Sequence, residues 1–218
     1  MISEVANMDC MAFMAQFPDK FFDLAVVDPP YGIKDKGGAP TRNLKYGQLN
    51  TVNQLKPNEE YFKELFRVSK HQIIWGYNHL SDLLPKCPEF IFWYKHQPVP
   101  TYAAGELAWT SFDKTAKCFD FPYFGAHNAD KNRIHPTQKP IALYKWLFEK
   151  YARGGQKILD THLGSGSSRI AAFYAGLDFY GCELDKEYFD KANERFEKEC
   201  HGVEVVGNTV VTQNLLFE

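Results

Sequence analysis

The residues with the clearest chemical potential are Asp28-Pro29-Pro30-Tyr31, which directly follow an apolar run at residues 21–27. The apolar run predicts a buried strand that ends at this tetrapeptide. Because each proline lacks an N–H donor, the carbonyls beside Asp28 remain available as acceptors, next to a carboxylate and an aromatic ring. Such a group of acceptors suits a planar amine. Asp and Pro also end many strands that have no other function, so the tetrapeptide alone leaves both explanations open.

A second candidate is the turn that runs from Asp160 through Thr161, His162 and Gly164-Ser165-Gly166 to Ser168. It follows a predicted strand and opens a predicted helix, where glycines allow close backbone approach and unpaired N–H groups face a ligand. It contains neither a GxGxxG motif nor a phosphate-binding lysine, which disfavours a dinucleotide or a triphosphate. Glu183 ends the next predicted strand about twenty residues later, a position suited to ribose hydroxyls. We expect a nucleoside cofactor here; the alternative is an ordinary glycine-serine turn and a surface glutamate.

Hydrophobic periodicity indicates the elements that must position these two segments. Strands are predicted near residues 2–6, 22–28, 71–76, 89–95, 106–112, 157–161 and 178–184. Helical or turn-rich segments separate most of them, which is typical of an α/β sheet. The strands at 89–95 and 106–112 have no crossover helix between them, so we expect an antiparallel hairpin at one sheet edge.

Composition narrows the class of protein. The 218 residues at 25.1 kDa fit one domain, 1–218, and no apolar stretch approaches the length of a membrane helix. No secretory signal is apparent. The five cysteines are odd in number and form no CxxC pair, which disfavours a disulfide framework and a zinc site and favours the cytoplasm. With a net charge of −2, a nucleic-acid partner would require a local basic surface.

Taken together and in this order, the motifs resemble the DNA amino-methyltransferases, which use S-adenosylmethionine. The match is to the permuted, beta-class-like group, in which the catalytic loop precedes the glycine motif. Residues 135–140, from His135 to Pro140, resemble the family's methionine-side cofactor motif, and Met8-Asp9-Cys10 resembles a motif whose acid meets the adenine of the cofactor. Asp9 could equally cap a helix. The resemblance implies a circularly permuted Rossmann-like methyltransferase fold with a mixed seven-stranded sheet.

The resemblance also implies roles for individual residues. Asp28 and the Pro29 carbonyl would accept the two N–H bonds of an exocyclic amine, and Tyr31 would stack on a base flipped out of double-stranded DNA. Catalytic roles are implied for Asp28, Pro29, Pro30 and Tyr31. Cofactor contacts are implied for Asp9, Cys10, Asp28, His135, Thr137, Gln138, Lys139, Asp160, Gly164, Ser165, Gly166, Ser167, Ser168 and Glu183. Thr161 and His162 stand where the family usually has proline and an aromatic residue, and we assign His162 no role.

Contacts to DNA phosphates are expected from basic side chains on both sides of the predicted site, although charged loops are often merely solvated. A target-recognition region is expected at 111–133, much reduced, so sequence selectivity should be low. In the tail at 208–218, the segment from Gln213 to Phe217 resembles a sliding-clamp-binding peptide, or it packs back on the domain. The expected phosphate contacts are Lys34, Lys36, Arg42, Lys45, Lys131 and Arg133.

The substrate base is less sharply indicated than the reaction. Adenine is favoured because the family's cytosine members more often replace the leading Asp with Ser. Cytosine N4 remains an alternative, as does an inactive DNA-binding or clamp-associated module with the same fold. Methylation of RNA or protein glutamine is disfavoured because those families usually place the glycine motif first. We expect a bacterial or phage enzyme of the restriction-modification type, a monomer or homodimer, without a metal.

Overall fold

The computed structural model describes residues 1–32, 55–124, 133–206 and 209–212, with the backbone alone from residue 204 onward. The predicted phosphate contacts Lys34, Lys36, Arg42, Lys45 and Lys131 therefore lie outside the described residues, as does the predicted clamp-binding segment 213–217. None of the described helices is both long and apolar enough to cross a membrane.

The described chain alternates strands and helices. The strands are β1 (Ser3–Asn7), β2 (Phe22–Val27), β3 (Ser69–Trp75), β4 (Phe90–Tyr94), β5 (Gly105–Thr110), β6 (Lys117–Asp120), β7 (Lys157–Asp160), β8 (Asp178–Glu183), β9 (Val203–Val206) and β10 (Thr209–Thr212). The helices are α1 (Cys10–Met14), α2 (Glu59–Val68), α3 (Tyr77–Leu80), α4 (Ile141–Tyr151), α5 (Ser167–Tyr174) and α6 (Lys186–His201).

Strands β1 to β8 form one sheet in the order β1-β8-β7-β2-β3-β5-β4-β6. Strand β5 is antiparallel to both of its neighbours, β3 and β4, whereas the other pairs in this sheet are parallel. The α/β class, the mixed sheet and the antiparallel β4–β5 hairpin are thus confirmed. Because the parallel strands share one direction, their carboxyl ends meet at the same edge, where ligands bind in open α/β sheets.

The predicted count of seven strands is wrong, because β6 pairs parallel to β4 and makes an eighth. The hairpin therefore does not form the sheet edge. Strand β6 lies inside the segment 111–133, so part of this segment belongs to the sheet, and its role in target recognition stays a prediction. Its four residues include one buried apolar side chain, Phe119, which packs near Trp93 and Trp146. So short a pattern gives little sequence signal.

Two apolar clusters lie on opposite faces of the sheet. On β2, Leu24 and Val26 belong to the cluster that packs against α4 and α5, whereas Ala25 and Val27 belong to the cluster that packs against α1 and α2. Alternate side chains of a strand point to opposite faces, so a strand covered on both sides must be apolar throughout. This explains the continuous apolar residues 24–27 before Asp28, and it fixes the carboxyl end of β2 in the middle of the sheet.

Candidate active site at the carboxyl edge of the sheet

A cavity of about 680 Å³ opens at the carboxyl edge of the sheet. This volume is within the range of small-molecule sites. Most of the predicted site residues line it, although they come from segments far apart in sequence. The predicted residues on the cavity wall are Asp9, Cys10, Asp28, Pro29, Pro30, Tyr31, His135, Thr137, Gln138, Lys139, Gly164, Ser165 and Glu183.

The carboxylate of Asp28 has a partner on each oxygen. The Tyr31 hydroxyl donates to Oδ1, and the Lys139 ammonium donates to Oδ2. Lys139 Nζ also lies 3.1 Å from Oε2 of Glu106. The Lys139 ammonium is directed at the carboxylate of the proposed catalytic loop, and the predicted contact of Lys139 with the cofactor stays a prediction.

Lys139 is charged although its side chain is just 5% exposed. Burial acts to lower the pKa of Lys139, but the nearby carboxylates of Asp28 and Glu106 outweigh burial and raise that pKa above its usual value. In the same way, Lys139 and Lys95 outweigh the effect of burial on Glu106 and lower its pKa. The ammonium also lies 5.4 Å from the centre of the Trp75 ring. A buried ion pair of this kind needs all of its partners, because removal of one leaves an uncompensated charge.

Tyr31 is held from both sides. Its ring stacks on His79 with the ring centres 5.2 Å apart. Burial, and then the charges of Asp28 and Glu106, raise the pKa of Tyr31 well above its usual value, so the phenol stays neutral and donates. Behind the ring, Gly76 has φ +82°, and a Cβ there would lie 2.0 Å from Tyr31 Cε1. Both the backbone conformation and the close approach therefore require glycine at residue 76.

The glycine turn is fastened to Glu183 at the end of β8. The N–H of Gly164 donates to Glu183 Oε2 at 2.8 Å, and the N–H of Asp185 donates to Oε1 at 2.9 Å. Burial raises the pKa of Glu183 against these bonds. Above the turn, the ring of His135 packs on Tyr188, with centres 4.4 Å apart. The predicted glycine loop and predicted acid thus belong to one rigid wall of the cavity.

Four predicted cofactor residues, Asp160, Gly166, Ser167 and Ser168, are not among the residues that line the cavity. They support its wall from behind. Asp160 is 2% exposed and accepts from the Ser168 hydroxyl at 2.5 Å and from the His162 N–H at 3.0 Å. Ser167 Oγ donates to the Lys139 carbonyl at 2.8 Å, which ties the glycine turn to the Lys139 segment. Their placement follows from the strand end and helix start, which direct these side chains into the protein.

Thr161 and His162, which depart from the family pattern, both line the cavity. Their side chains form a hydrogen-bonded chain with Tyr61: the Tyr61 hydroxyl lies 2.7 Å from Thr161 Oγ1, which lies 3.0 Å from His162 Nδ1. Burial lowers the pKa of His162 to about 4, so the imidazole is neutral at physiological pH. Thr161 and His162 thus replace the proline and the aromatic residue of the family pattern, and their polar atoms are hydrogen-bonded in the chain with Tyr61.

Asp9 follows β1, the strand that pairs with β8, and it is the N-cap of α1. Its Oδ1 accepts from the N–H groups of Met11 and Ala12 at 2.9 and 3.1 Å. The capping role considered from the sequence is therefore real, and Asp9 also lines the cavity. Burial, and then Asp9, raise the pKa of the neighbouring Cys10 to about 11, which keeps that thiol protonated.

The segment before α4 is held by its own side chains. His135 Nδ1 accepts from the Thr137 N–H at 3.3 Å, and Gln138 Oε1 accepts from the Ile134 N–H at 3.1 Å. Arg133 packs its guanidinium over the Tyr123 ring at 4.7 Å. The phosphate role of Arg133 stays a prediction.

Sequence reasoning gave no role to Glu106, Lys95 or Tyr61. Glu106 is at the start of the antiparallel strand β5, and nothing in its sequence neighbourhood distinguishes it from a surface acid. Its contact with Lys139 becomes visible only when the direction of β5 is known, and the other partner of Lys139, Asp28, is 111 positions before Lys139 in the chain. Tyr61 belongs to an amphipathic helix, where a tyrosine is usually core.

Comparisons with known proteins show which family and which fold this chain resembles. A family model described as DNA methylase matches residues 73–194. The type II methyltransferase M.HpaI of Haemophilus parainfluenzae is 26% identical over 227 residues, which cover 84% of this chain and 71% of that protein. The putative methylase YubD of Escherichia coli K12 is also 26% identical, over 89% of this chain and 90% of its own.

Solved structures show the same fold. TTHA0409, a putative DNA modification methylase from Thermus thermophilus solved with S-adenosyl-L-methionine, superposes with a TM-score of 0.62 at 18% identity, over 91% of this chain and 94% of that one. The PvuII DNA methyltransferase, described as cytosine-N4-specific, superposes with a TM-score of 0.57 at 12% identity, over 94% and 95%. The fold is therefore that of the S-adenosylmethionine-dependent methyltransferases.

Proposed function

The chain belongs to the DNA methylase family, and we propose that it transfers a methyl group from S-adenosylmethionine to the exocyclic amine of adenine in double-stranded DNA. The observation that carries this proposal is the shared cavity. Asp28, Pro29 and Tyr31 line one part of it, while the glycine turn, Asp9 and Glu183 line another. The single cavity offers room for an amine acceptor beside a nucleoside donor, as a direct transfer requires.

The residues present fit the cofactor. Backbone N–H groups, two acids and a glycine turn with φ +52° at Gly164 offer the polar partners that a nucleoside requires, in a cavity large enough for it. The residues that would hold it are Asp9, Cys10, His135, Thr137, Gln138, Gly164, Ser165 and Glu183. When bound, S-adenosylmethionine supplies an electrophilic methyl group on a sulfonium and leaves as the neutral thioether.

The protein's own part in the reaction is to orient the amine. An amine conjugated to its ring is a poor nucleophile, because its lone pair is delocalised. Asp28 and the Pro29 carbonyl accept the two N–H bonds, which directs the nitrogen lone pair out of the ring plane and toward the methyl carbon. With the cofactor bound, the nitrogen lone pair would form the new N–C bond while sulfur keeps the electrons of the broken S–C bond, and the nitrogen would then release one proton to solvent. Asp28 acts chiefly as an acceptor, since proton loss follows methyl transfer.

Adenine is the first candidate for the substrate base, because the tetrapeptide begins with Asp and not with Ser. Cytosine N4 is the second candidate, and the similarity to the cytosine-N4-specific PvuII enzyme favours it equally on fold alone. We test both together. Unmethylated duplex DNA is incubated with the protein and labelled S-adenosylmethionine, digested to nucleosides, and analysed by mass. We expect N6-methyladenine. N4-methylcytosine would establish the alternative base, and the absence of any labelled nucleoside would indicate an inactive module.

The assignment of Asp28 is tested by Asp28→Ala. We expect methyl transfer to fall by at least about 100-fold, while calorimetric binding of S-adenosylmethionine stays within a few-fold of wild type. The matched control is Asp190→Ala, which removes an exposed acid of α6 paired with Lys186 and should leave the rate unchanged. A near wild-type rate in Asp28→Ala would refute the assignment.

A further inference from the structure

Asp28 is the first member of a line of charged groups that extends away from the cavity. Lys139 contacts both Asp28 and Glu106, and Lys95 forms an ion pair with the other oxygen of Glu106. Two carboxylates thus face two ammonium groups, and the four formal charges cancel. Each member comes from a different part of the chain: the loop after β2, the segment before α4, strand β5, and the residue after β4.

The position of Lys139 is fixed independently of Asp28. Its carbonyl accepts from Ser167 Oγ at 2.8 Å, and its ammonium lies 5.4 Å from the centre of the buried Trp75 ring. The ammonium is therefore held between two carboxylates, Asp28 and Glu106. Because a buried ammonium interacts with every nearby carboxylate, the charge of Glu106 determines how strongly Lys139 is drawn to Asp28.

Asp28 must keep its hydrogen bonds within the protein and must also accept one from the substrate amine. Its Oδ1 already accepts from Tyr31 and its Oδ2 from Lys139, so an entering amine has to share these oxygens. A carboxylate oxygen accepts more than one hydrogen bond, which makes sharing feasible. An ammonium with no other partner would hold Asp28 too tightly for the amine to compete, whereas the absence of an ammonium would leave Asp28 beside the like charge of Glu106.

We propose that Glu106 is a positioning residue for methyl transfer, which acts by holding Lys139 between two carboxylates so that the Asp28 carboxylate stays open to the substrate amine. This inference rests on the proposed function. Glu106 contacts Lys139, and Lys139 contacts Asp28, so Glu106 affects methyl transfer only through Lys139. Removal of the Glu106 charge leaves a local excess of one positive charge, and removal of the Lys139 charge leaves an excess of one negative charge. The other titratable groups that face this line are Tyr31, Tyr144, Asp160 and His162.

The two excess charges predict shifts of opposite sign, which structural damage would not produce. In Glu106→Gln, the acid limb of the pH profile of kcat/KM should move to lower pH, since the remaining ammonium groups favour ionised Asp28. In Lys139→Met, the limb should move to higher pH, because the negative charge of Glu106 then disfavours a second negative charge on Asp28. A single nearby charge moves a pKa by roughly one to three units. The double variant restores the charge balance, and its limb should return toward wild type.

The experiment measures single-turnover methyl transfer across pH for wild type and these variants, and the Asp28 carboxyl pKa in the cofactor-free protein by carbon-13 NMR. The NMR readout needs no DNA, so absence of methyl transfer by wild type contradicts the proposed function, whereas unmoved or same-direction Asp28 pKa values in the two variants overturn the role of Glu106. Lys139→Arg keeps the charge, and its limb should stay near wild type even if Lys139→Met fails to fold. The exposed pair on α6 supplies the matched controls, Glu187→Gln and Lys191→Met, whose profiles should not move.

Discussion

Replacement of Asp160 by asparagine should stabilise the folded chain at alkaline pH, although it removes a hydrogen-bonded carboxylate. Burial is the main cause that raises the pKa of Asp160, from 3.8 to about 7. Between these values the folded state keeps a proton that the unfolded chain has lost. The free energy of unfolding therefore falls as pH rises through this window, and the loss is complete above pH 7.

The size of the effect follows from the width of the window. Each pH unit is worth about 1.4 kcal/mol, so a window of roughly three units sets a ceiling of about 4 kcal/mol. The introduced asparagine would keep the acceptor for the His162 N–H, and the Ser168 hydroxyl can turn to accept from the new amide. We expect Asp160→Asn to gain about 3 kcal/mol more over wild type at pH 8 than at pH 5, since roughly two of those units, at about 1.4 kcal/mol each, lie between pH 5 and pH 7.

Urea unfolding followed by tryptophan fluorescence at pH 5 and pH 8 measures this difference, and a third series at pH 3 covers the control. Asp23→Asn is the control of opposite sign: although burial opposes it, Lys70 and the Lys157 N–H hold the pKa of Asp23 below its usual value. That control should therefore be less stable than wild type at pH 8, and by a smaller margin toward pH 3. If the gain of Asp160→Asn is equal at pH 5 and pH 8, burial does not raise the pKa of Asp160 and the reasoning fails.

Three further outcomes are expected. Gly76→Ala should slow methyl transfer by at least about 10-fold and lower stability by about 1–2 kcal/mol, because the left-handed backbone resists a Cβ that also displaces the Tyr31 ring; thermal melts and single-turnover rates measure both, and an unchanged rate would contradict the packing argument. Thr161→Val should cost about 1–3 kcal/mol in urea unfolding, because it leaves the Tyr61 hydroxyl and His162 Nδ1 without their buried partner; Thr161→Ser keeps the hydroxyl and should lose less. Phe119→Ala should cost about 3 kcal/mol, since the buried ring holds β6 against Trp93 and Trp146; a cost below about 1 kcal/mol would show that β6 contributes little to the sheet.

The features that sequence predicted well are those written in continuous local patterns. The apolar run of β2 had to be buried on both faces, so the position of Asp28 at its carboxyl end followed. The turn from Gly164 to Gly166 was likewise recognisable between a strand and a helix. Both patterns require only neighbouring residues to be interpreted, and the structure brings the two segments to one cavity as expected.

What the sequence did not reveal depends on contacts between distant elements. Strand β6 is stabilised by pairing with β4, and its own four residues carry almost no signal. The contact of Lys139 with Asp28 depends on which strand lies beside which, and Glu106 is recognisable only once β5 is known to run against its neighbours. Asp160 was assigned to the cofactor because it begins the glycine motif, but burial of its side chain is decided by tertiary packing.

The reversed direction of β5 has a consequence for how the chain tolerates change. Glu106 lies near the start of β5 and pairs with Trp93 of β4. Its register is set by hydrogen bonds along β4 and not by the connection at residues 95–104. Beyond Lys95, which pairs with Glu106, that connection can lengthen, shorten or diversify without moving the acid. A slip of the ladder by one residue, in contrast, would place Leu107 where Glu106 stands and turn the acid to the far side of the sheet.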